Sequence, residues 1–217
     1  MKAVITGDLI DSTQYTPQEL DMILDAVNTE FKHFQKTYDA EFKIFRGDSF
    51  QGVVLYPKLA LDITLTIKTA VNKIAIKNKK ISGLPDFRIA IGIGNINLKR
   101  ESILESNGEA FQFSGRALDT MKGDYPRLLL RTADDDINDE FNVHFSFLDS
   151  VTGKWSRESA EVVYYLYKGY KEREIAEELG IYQSAVNQRK KVANWDSIAL
   201  LLKRYKTVIT KYQNNGV

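Results

Sequence analysis

Cysteine is absent from the 217 residues and histidine is limited to His33 and His144, which leaves no disulfide, no thiolate zinc centre and no histidine-rich metal site. Any metal must sit on oxygen ligands. No stretch approaches the roughly 18 uninterrupted apolar residues of a membrane span. The N-terminal residues enter a strand pattern at once instead of a basic and then apolar leader, so a cytoplasmic protein without a membrane partner is expected. What is present is a 43% hydrophobic content, enough to bury a substantial core. The net charge of +1 conceals an uneven split: residues 1–150 hold 18 Lys and Arg against 22 Asp and Glu, and residues 151–217 hold 12 against 7. A basic C-terminal segment points toward a polyanion.

Two Gly-Asp pairs stand out. Gly7-Asp8 closes the apolar run Ala3-Val4-Ile5, and Gly47-Asp48 lies between the apolar-rich runs Phe42–Phe45 and Ser49–Gly52, where it predicts a tight hairpin reversal. Each acid ends a predicted strand, and carboxylates on neighbouring strand ends can share a divalent cation. Thr16-Pro17-Gln18-Glu19 signals a helix start, continued to about Lys36 by Leu20, Ile23, Leu24, Val27, Phe31 and Phe34 on one face. A second helix is expected from Lys58 to about Lys77, ended by Lys77-Asn78-Lys79-Lys80, and a strand over Phe87–Gly94. Residues 95–108 read as a loop, Gly108–Met121 mainly as helix and Arg127–Arg131 as strand. An acidic helix over Ala133–Phe141 and a last strand over Val143–Leu148 complete the order β-α-β-β-α-β-α-β-α-β. That order describes an α+β, ferredoxin-like domain with a mostly antiparallel sheet and helices on one face.

A boundary is expected near Asp149–Gly153, giving domains at 1–150 and 151–217, the second entirely helical. Its helices are predicted over Ser156–Tyr167, Glu172–Leu179, Gln183 to about Ala193 and Asp196 to about Gln213. The stretch Lys171–Lys191 carries a helix-turn-helix signal: small Ala176 at the crossing, Gly180 at the turn, and Ile181 and Val186 filling the angle. Outward positions on its second helix are Tyr182, Gln183, Ser184, Asn187, Gln188 and Lys191, with Arg189 and Lys190 adding charge. Amides and hydroxyls suit base edges and cations suit phosphates, so DNA is the expected partner. The apolar stripe of the last helix, Ile198, Leu201, Leu202, Tyr205, Val208 and Ile209, suits either the module's own core or a second subunit.

In their order and spacing, Gly7-Asp8-Leu9-Ile10, Arg46-Gly47-Asp48, Arg88–Gly94 and Gly108–Arg116 resemble the motifs of class III nucleotidyl cyclase catalytic domains. The resemblance implies Mg²⁺ or Mn²⁺ on Asp8, Asp48 and the Leu9 carbonyl. It further implies that Arg116 and Gln112 act on the transferring phosphorus, and that nucleotide contacts involve Gly47, Ile44, Gly92 and Gly94. The purine-selecting lysine of those enzymes is replaced here by Ile44, with Lys43 on the other side of the strand. Over nearly the whole chain, Ile5–Ser12, Gly47–Gly52, Gly92–Gly94 and Gly108–Phe111 are similar to the SatD-like family of bacteria, whose members pair such a domain with a C-terminal helix-turn-helix. Together these features imply a homodimeric, DNA-binding regulator whose cyclase-like domain senses nucleotide or metal. The alternatives are a metal-dependent nucleotidyl cyclase or transferase, and a protein-interaction adaptor.

Overall fold

The computed structural model describes residues 1–78, 83–98, 107–123 and 125–215. Strand β1, Lys2–Leu9, is the centre of a five-stranded sheet. Helix α1, Pro17–Tyr38, begins at a complete capping box in which the Glu19 amide donates to Thr16 Oγ1 and the Thr16 amide donates to Glu19 Oε2. Strands β2, Ala40–Phe45, and β3, Ser49–Val54, form the expected hairpin, and a short 3-10 turn leads into α2, Ala60–Asn72. Then follow β4, Phe87–Gly94; the small pair β5, Ile96–Leu98, and β6, Asn107–Gly108; and α3, Glu109–Thr120. Strand β7, Leu128–Arg131, joins β4 in parallel, whereas the other pairings of the main sheet are antiparallel. The C-terminal half is helical: α4, Asp135–Thr152; α5, Arg157–Tyr167; α6, Glu172–Leu179; α7, Gln183–Val192; α8, Trp195–Asn215. Among the described residues no helix is long and apolar enough to cross a membrane.

The expected α+β class and sheet stand, and four details differ. Helix α2 ends at Asn72, short of the predicted Lys77, and Lys79-Lys80 lie outside the described residues. The stretch 95–108, expected as a loop, pairs its described ends as β5 and β6, while 99–106 lie outside the described residues. The strand predicted over Val143–Leu148 is the middle of α4, which also absorbs the acidic helix and runs through the expected boundary at 149–152. Alternation of Val143, Phe145 and Phe147 imitates a strand, but the buried positions Phe141, Phe145 and Leu148 follow helical spacing, while Val143 and Phe147 are 57% and 70% exposed. Finally, helices cover both faces of the sheet. Ala3, Ile5 and Leu9 of β1 enter the main core with residues of α1, α2 and α4, whereas Val4 meets Ala110 and Phe111 of α3 on the other side.

Helix α2 explains how the helical half is attached. From Ala60 to Asn72 every residue except Asp62 is buried, so this helix has neighbours on all sides. The sheet and α1 supply one side, α5 and α8 the other. Tyr205 of α8, wholly buried, donates to the Pro57 carbonyl at 3.1 Å, and Lys206 pairs with Asp62 at 2.8 Å. Buried Glu30 of α1 accepts from Tyr164 of α5 at 2.8 Å and pairs with Lys168.

On the second face α3 approaches β4 so closely that a Cβ on Gly92 would stand 2.2 Å from the Ala110 carbonyl oxygen and 2.5 Å from the Ser114 nitrogen. Backbone cannot yield there as a flexible side chain would. Gly92→Ala is therefore expected to cost about 1–3 kcal/mol, lowering Tm by roughly 2–12 °C. Gly115, on the open side of α3 with nothing within 4 Å of an added Cβ, should gain about 1 kcal/mol as Ala. Thermal melts of both variants check the pair; a neutral Gly92→Ala would contradict this packing.

Candidate functional site

The antiparallel register of β1 and β3 sets Asp8 opposite Ser49, and the Leu9 amide donates to the Asp48 carbonyl oxygen at 2.9 Å. The two acids singled out from the sequence thus sit on adjoining strand ends. Asp48 lies in the three-residue hairpin loop with Arg46 and Gly47, both in left-handed backbone at φ 57° and 81°. Its carboxylate accepts from Ser12 Oγ at 2.7 Å and from Ser49 Oγ at 3.1 Å. Asp8 is held by Arg88 of β4, the guanidinium donating through Nη2 at 2.6 Å and Nε at 3.3 Å, and Arg88 also donates to the Met121 carbonyl at 3.2 Å.

This arrangement does not fit a pair of divalent cations. Both Asp8 oxygens face a guanidinium, both Asp48 oxygens accept hydroxyls, and among the described residues no three His, Asp or Glu side chains gather at metal spacing. A fixed positive charge already stands where a bound cation would neutralise Asp8. Leu9 contributes its amide to the loop and buries its side chain in the core.

The other residues named from the sequence do not converge on these acids within one chain. Gln112 and Arg116 are exposed on the outward side of α3, opposite its buried Ala110, Ser114 and Ala117. Gly92 and Gly94 lie against α3, which fills the space a ligand would need. Ile44 packs on the main core, so it is on the sheet face opposite Asp8. The β2 side chains that share Asp8's face are Glu41, Lys43 and Phe45; Phe45 is in register with Ser49 and Lys43 with Gln51, whose amide reaches Thr6 at 3.3 Å. Sequence reasoning passed over Arg88 and Ser12; strict alternation along Arg88–Gly94 places Arg88 on the same side as Gly92 and was the signal available.

Next to the strand ends is a polar cavity of about 350 Å³ bounded by Asp11, Tyr15, Asp86 and Arg127. Behind it, buried Lys68 donates to Asp86 Oδ1 at 2.7 Å and to the Phe87 carbonyl at 3.0 Å, and Arg127 reaches Asp86 Oδ2 at 3.2 Å. Burial, with Asp11 and Asp86 nearby, pushes the Tyr15 hydroxyl up to about 12. The carboxylate between two cations ties α2 to β4 and β7.

On α7 the surface divides in two. Tyr182 is 85% exposed, and Gln183, Ser184, Gln188 and Lys191 are exposed with it. Asn187 and Lys190 instead turn back to Glu172 of α6, at 3.4 and 3.1 Å, and Arg189 is partly covered. Gly180 takes the left-handed turn at φ 63° between α6 and α7, and Val162, Ile175, Ala176 and Val186 close a small core beneath.

The sequence profile of the SatD family matches residues 2–210, and the chain belongs to that family. No curated protein sequence matches it. Among solved structures, it is similar to the non-canonical dimeric guanylyl cyclase domain of the RhoGC fusion protein from the aquatic fungus Blastocladiella emersonii. That match has 17% identity over 56% of this chain and 74% of that one, with a TM-score of 0.41. Adenylate cyclases of Trypanosoma brucei in their monomeric state match at 15% over 59% and 72%, TM-score 0.40. A bacterial light-regulated adenylyl cyclase matches at 14% over 59% and 74%, TM-score 0.40. These likenesses concern fold, and no activity follows from them.

If Arg88 takes the place of a cation beside Asp8, removing its charge should open the site. Arg88→Met is expected to tighten Mn²⁺ binding about five- to tenfold over the unaltered chain, read by the paramagnetic signal of free Mn²⁺. Equal affinities would contradict the role given to Arg88.

Proposed function

We propose that this SatD-family chain is a DNA-binding regulatory protein that reads DNA with α7, used as the second helix of a helix-turn-helix. The observation that carries the reading is the uncommitted row Tyr182, Gln183, Ser184, Gln188 and Lys191 on a helix whose inner side is fixed by Val186. Side-chain amides and hydroxyls at the start of such a helix suit base edges, and Lys191 suits a phosphate. Lys190 acts differently and pins α7 to Glu172 and Asp196. Exposed Glu174, Glu177 and Glu178 on α6 would repel phosphate, so the duplex approaches from the α7 side.

The sheet half is read as the sensing part. Arg88 is the cationic group at the strand ends, and phosphate oxygens of a nucleotide would compete with Asp8 for it. Repeating the Arg88→Met titration with ATP and GTP decides this: lost nucleotide binding supports the sensor, and unchanged binding removes it. Nucleotidyl transfer is the less favoured reading, because Gln112 and Arg116 point away from the acids in one copy.

A homodimer is proposed as the working form. Phe147 of α4, 70% exposed, borders a groove lined also by Val151, Ile198 and Leu201, an apolar surface that a second copy would cover. Sedimentation equilibrium is expected to give a dimer that Phe147→Glu converts to a monomer; a monomeric unaltered chain would refute it.

DNA binding is tested by fluorescence anisotropy with a random-sequence duplex across a salt series. Lys191→Ala should weaken binding and reduce the salt slope by about 1, while Lys190→Ala should act mainly on thermal stability, by up to about 1 kcal/mol. No binding at low salt, or affinity indifferent to Lys191, would overturn the assignment.

A further inference from the structure

Away from the acidic strand ends and from α7, a cavity of about 670 Å³ runs between the edge strand β7 and α4. Its size is that of small-molecule sites, and most of its accessible wall is apolar, supplied in part by Tyr125, Pro126 and Leu129. Its polar groups lie at opposite ends. At one end Arg131 is fixed, its Nη1 donating to the Leu130 carbonyl at 2.8 Å and to Asn142 Oδ1 at 2.8 Å. Such a guanidinium is pre-oriented, and its other donors have no partner among the described residues.

At the other end Asp149 is 2% exposed. Its Oδ2 accepts the Arg127 amide at 2.7 Å, but its Oδ1 is buried without a hydrogen-bond partner. The Leu128 amide and Lys68 favour its charge without meeting Oδ1 in hydrogen-bond geometry, and burial outweighs them, raising the carboxyl above its usual range. An orphaned carboxyl oxygen beside a cavity is unfavourable until a donor reaches it, and Oδ1, closed to solvent here, needs a small movement of the wall for that contact. Asn142 and Asp149 are seven residues apart on α4, which separates the two ends by roughly 10 Å.

We propose that this cavity binds a small amphipathic carboxylate about 10 Å long, its anionic end on Arg131, its apolar body over Leu129 and Tyr125, and a hydrogen-bond donor meeting Asp149 Oδ1. Each end supplies what one protein group lacks. A neutral apolar molecule leaves both ends unmatched, and a dianion meets Asp149 unfavourably. Exposed Ser146, midway along α4, lies on the wall where a larger side chain fills the space without entering the core.

The test is isothermal titration of the full chain with three rod-like probes. These are 4-hydroxycinnamate, which carries both end groups; 4-methoxycinnamate, which lacks the donor; and 4-vinylphenol, which lacks the carboxylate. The first is expected to bind at least about tenfold more tightly than the other two. Ser146→Trp should abolish its binding with an unchanged melt, and Arg131→Met should erase its advantage over 4-vinylphenol. No heat with 4-hydroxycinnamate at millimolar concentration overturns the proposal. So do equal affinities for all three probes, which would mean apolar adsorption only, or undiminished binding to Ser146→Trp.

Discussion

The architecture depends on the burial of α2 on every side. A helix reading Ala60-Leu61-Asp62-Ile63-Thr64-Leu65-Thr66-Ile67 has no solvated face to offer, so the sheet alone cannot satisfy it. Helices α5 and α8 complete the enclosure, and the charges inside it are answered locally: Lys68 by Asp86, Asp62 by Lys206. Threonines at 66 and 69 return their hydroxyls to carbonyls of the same helix, which lets polar residues lie buried without outside partners. The C-terminal helices are thereby part of the main core, which holds Ala193, Ile198, Tyr205 and Ile209 beside Ile5 and Phe50.

From this enclosure the placement of α7 and of the acidic strand ends follows. Trp155, just after α4, donates its indole N–H to the Ala193 carbonyl at the end of α7, so the helix proposed to read DNA is anchored to the helix that closes over β7. The acidic strand ends are built by register alone, β1 against β3 and β4. That same register delivers Arg88 to Asp8 and makes the site an internal ion pair, partly exposed on both sides. A ligand that separates this bidentate pair must offer Arg88 replacement acceptors for both hydrogen bonds.

Much of this is legible in the sequence where the signal is local. The capping box at Thr16, the hairpin around Gly47-Asp48 and the limits of α6 and α7 depend on neighbours a few residues away, and all appear where the pattern puts them. What escapes depends on distant partners. The α4 segment reads as a strand because its exposed Val143 and Phe147 alternate with buried Phe145. The commitment of Lys190 and Asn187 to Glu172 is set by how α6 crosses α7, which no spacing within α7 reveals. Family resemblance assigns Ile44 to a ligand, although the period-two alternation that buries Phe42 also places Ile44 on the core side. In the site itself, the acids are legible and their partners Arg88 and Ser12 are not, since these come from 80 residues away and from a neighbouring loop.

Amide hydrogen exchange with and without a saturating duplex decides whether α7 carries the DNA-reading surface proposed for it. Slowed exchange is expected over the turn and helix from Tyr182 to Val192, with β1 and the β2–β3 loop unchanged. Protection at the strand ends with none on α7, or no protection anywhere, would contradict it.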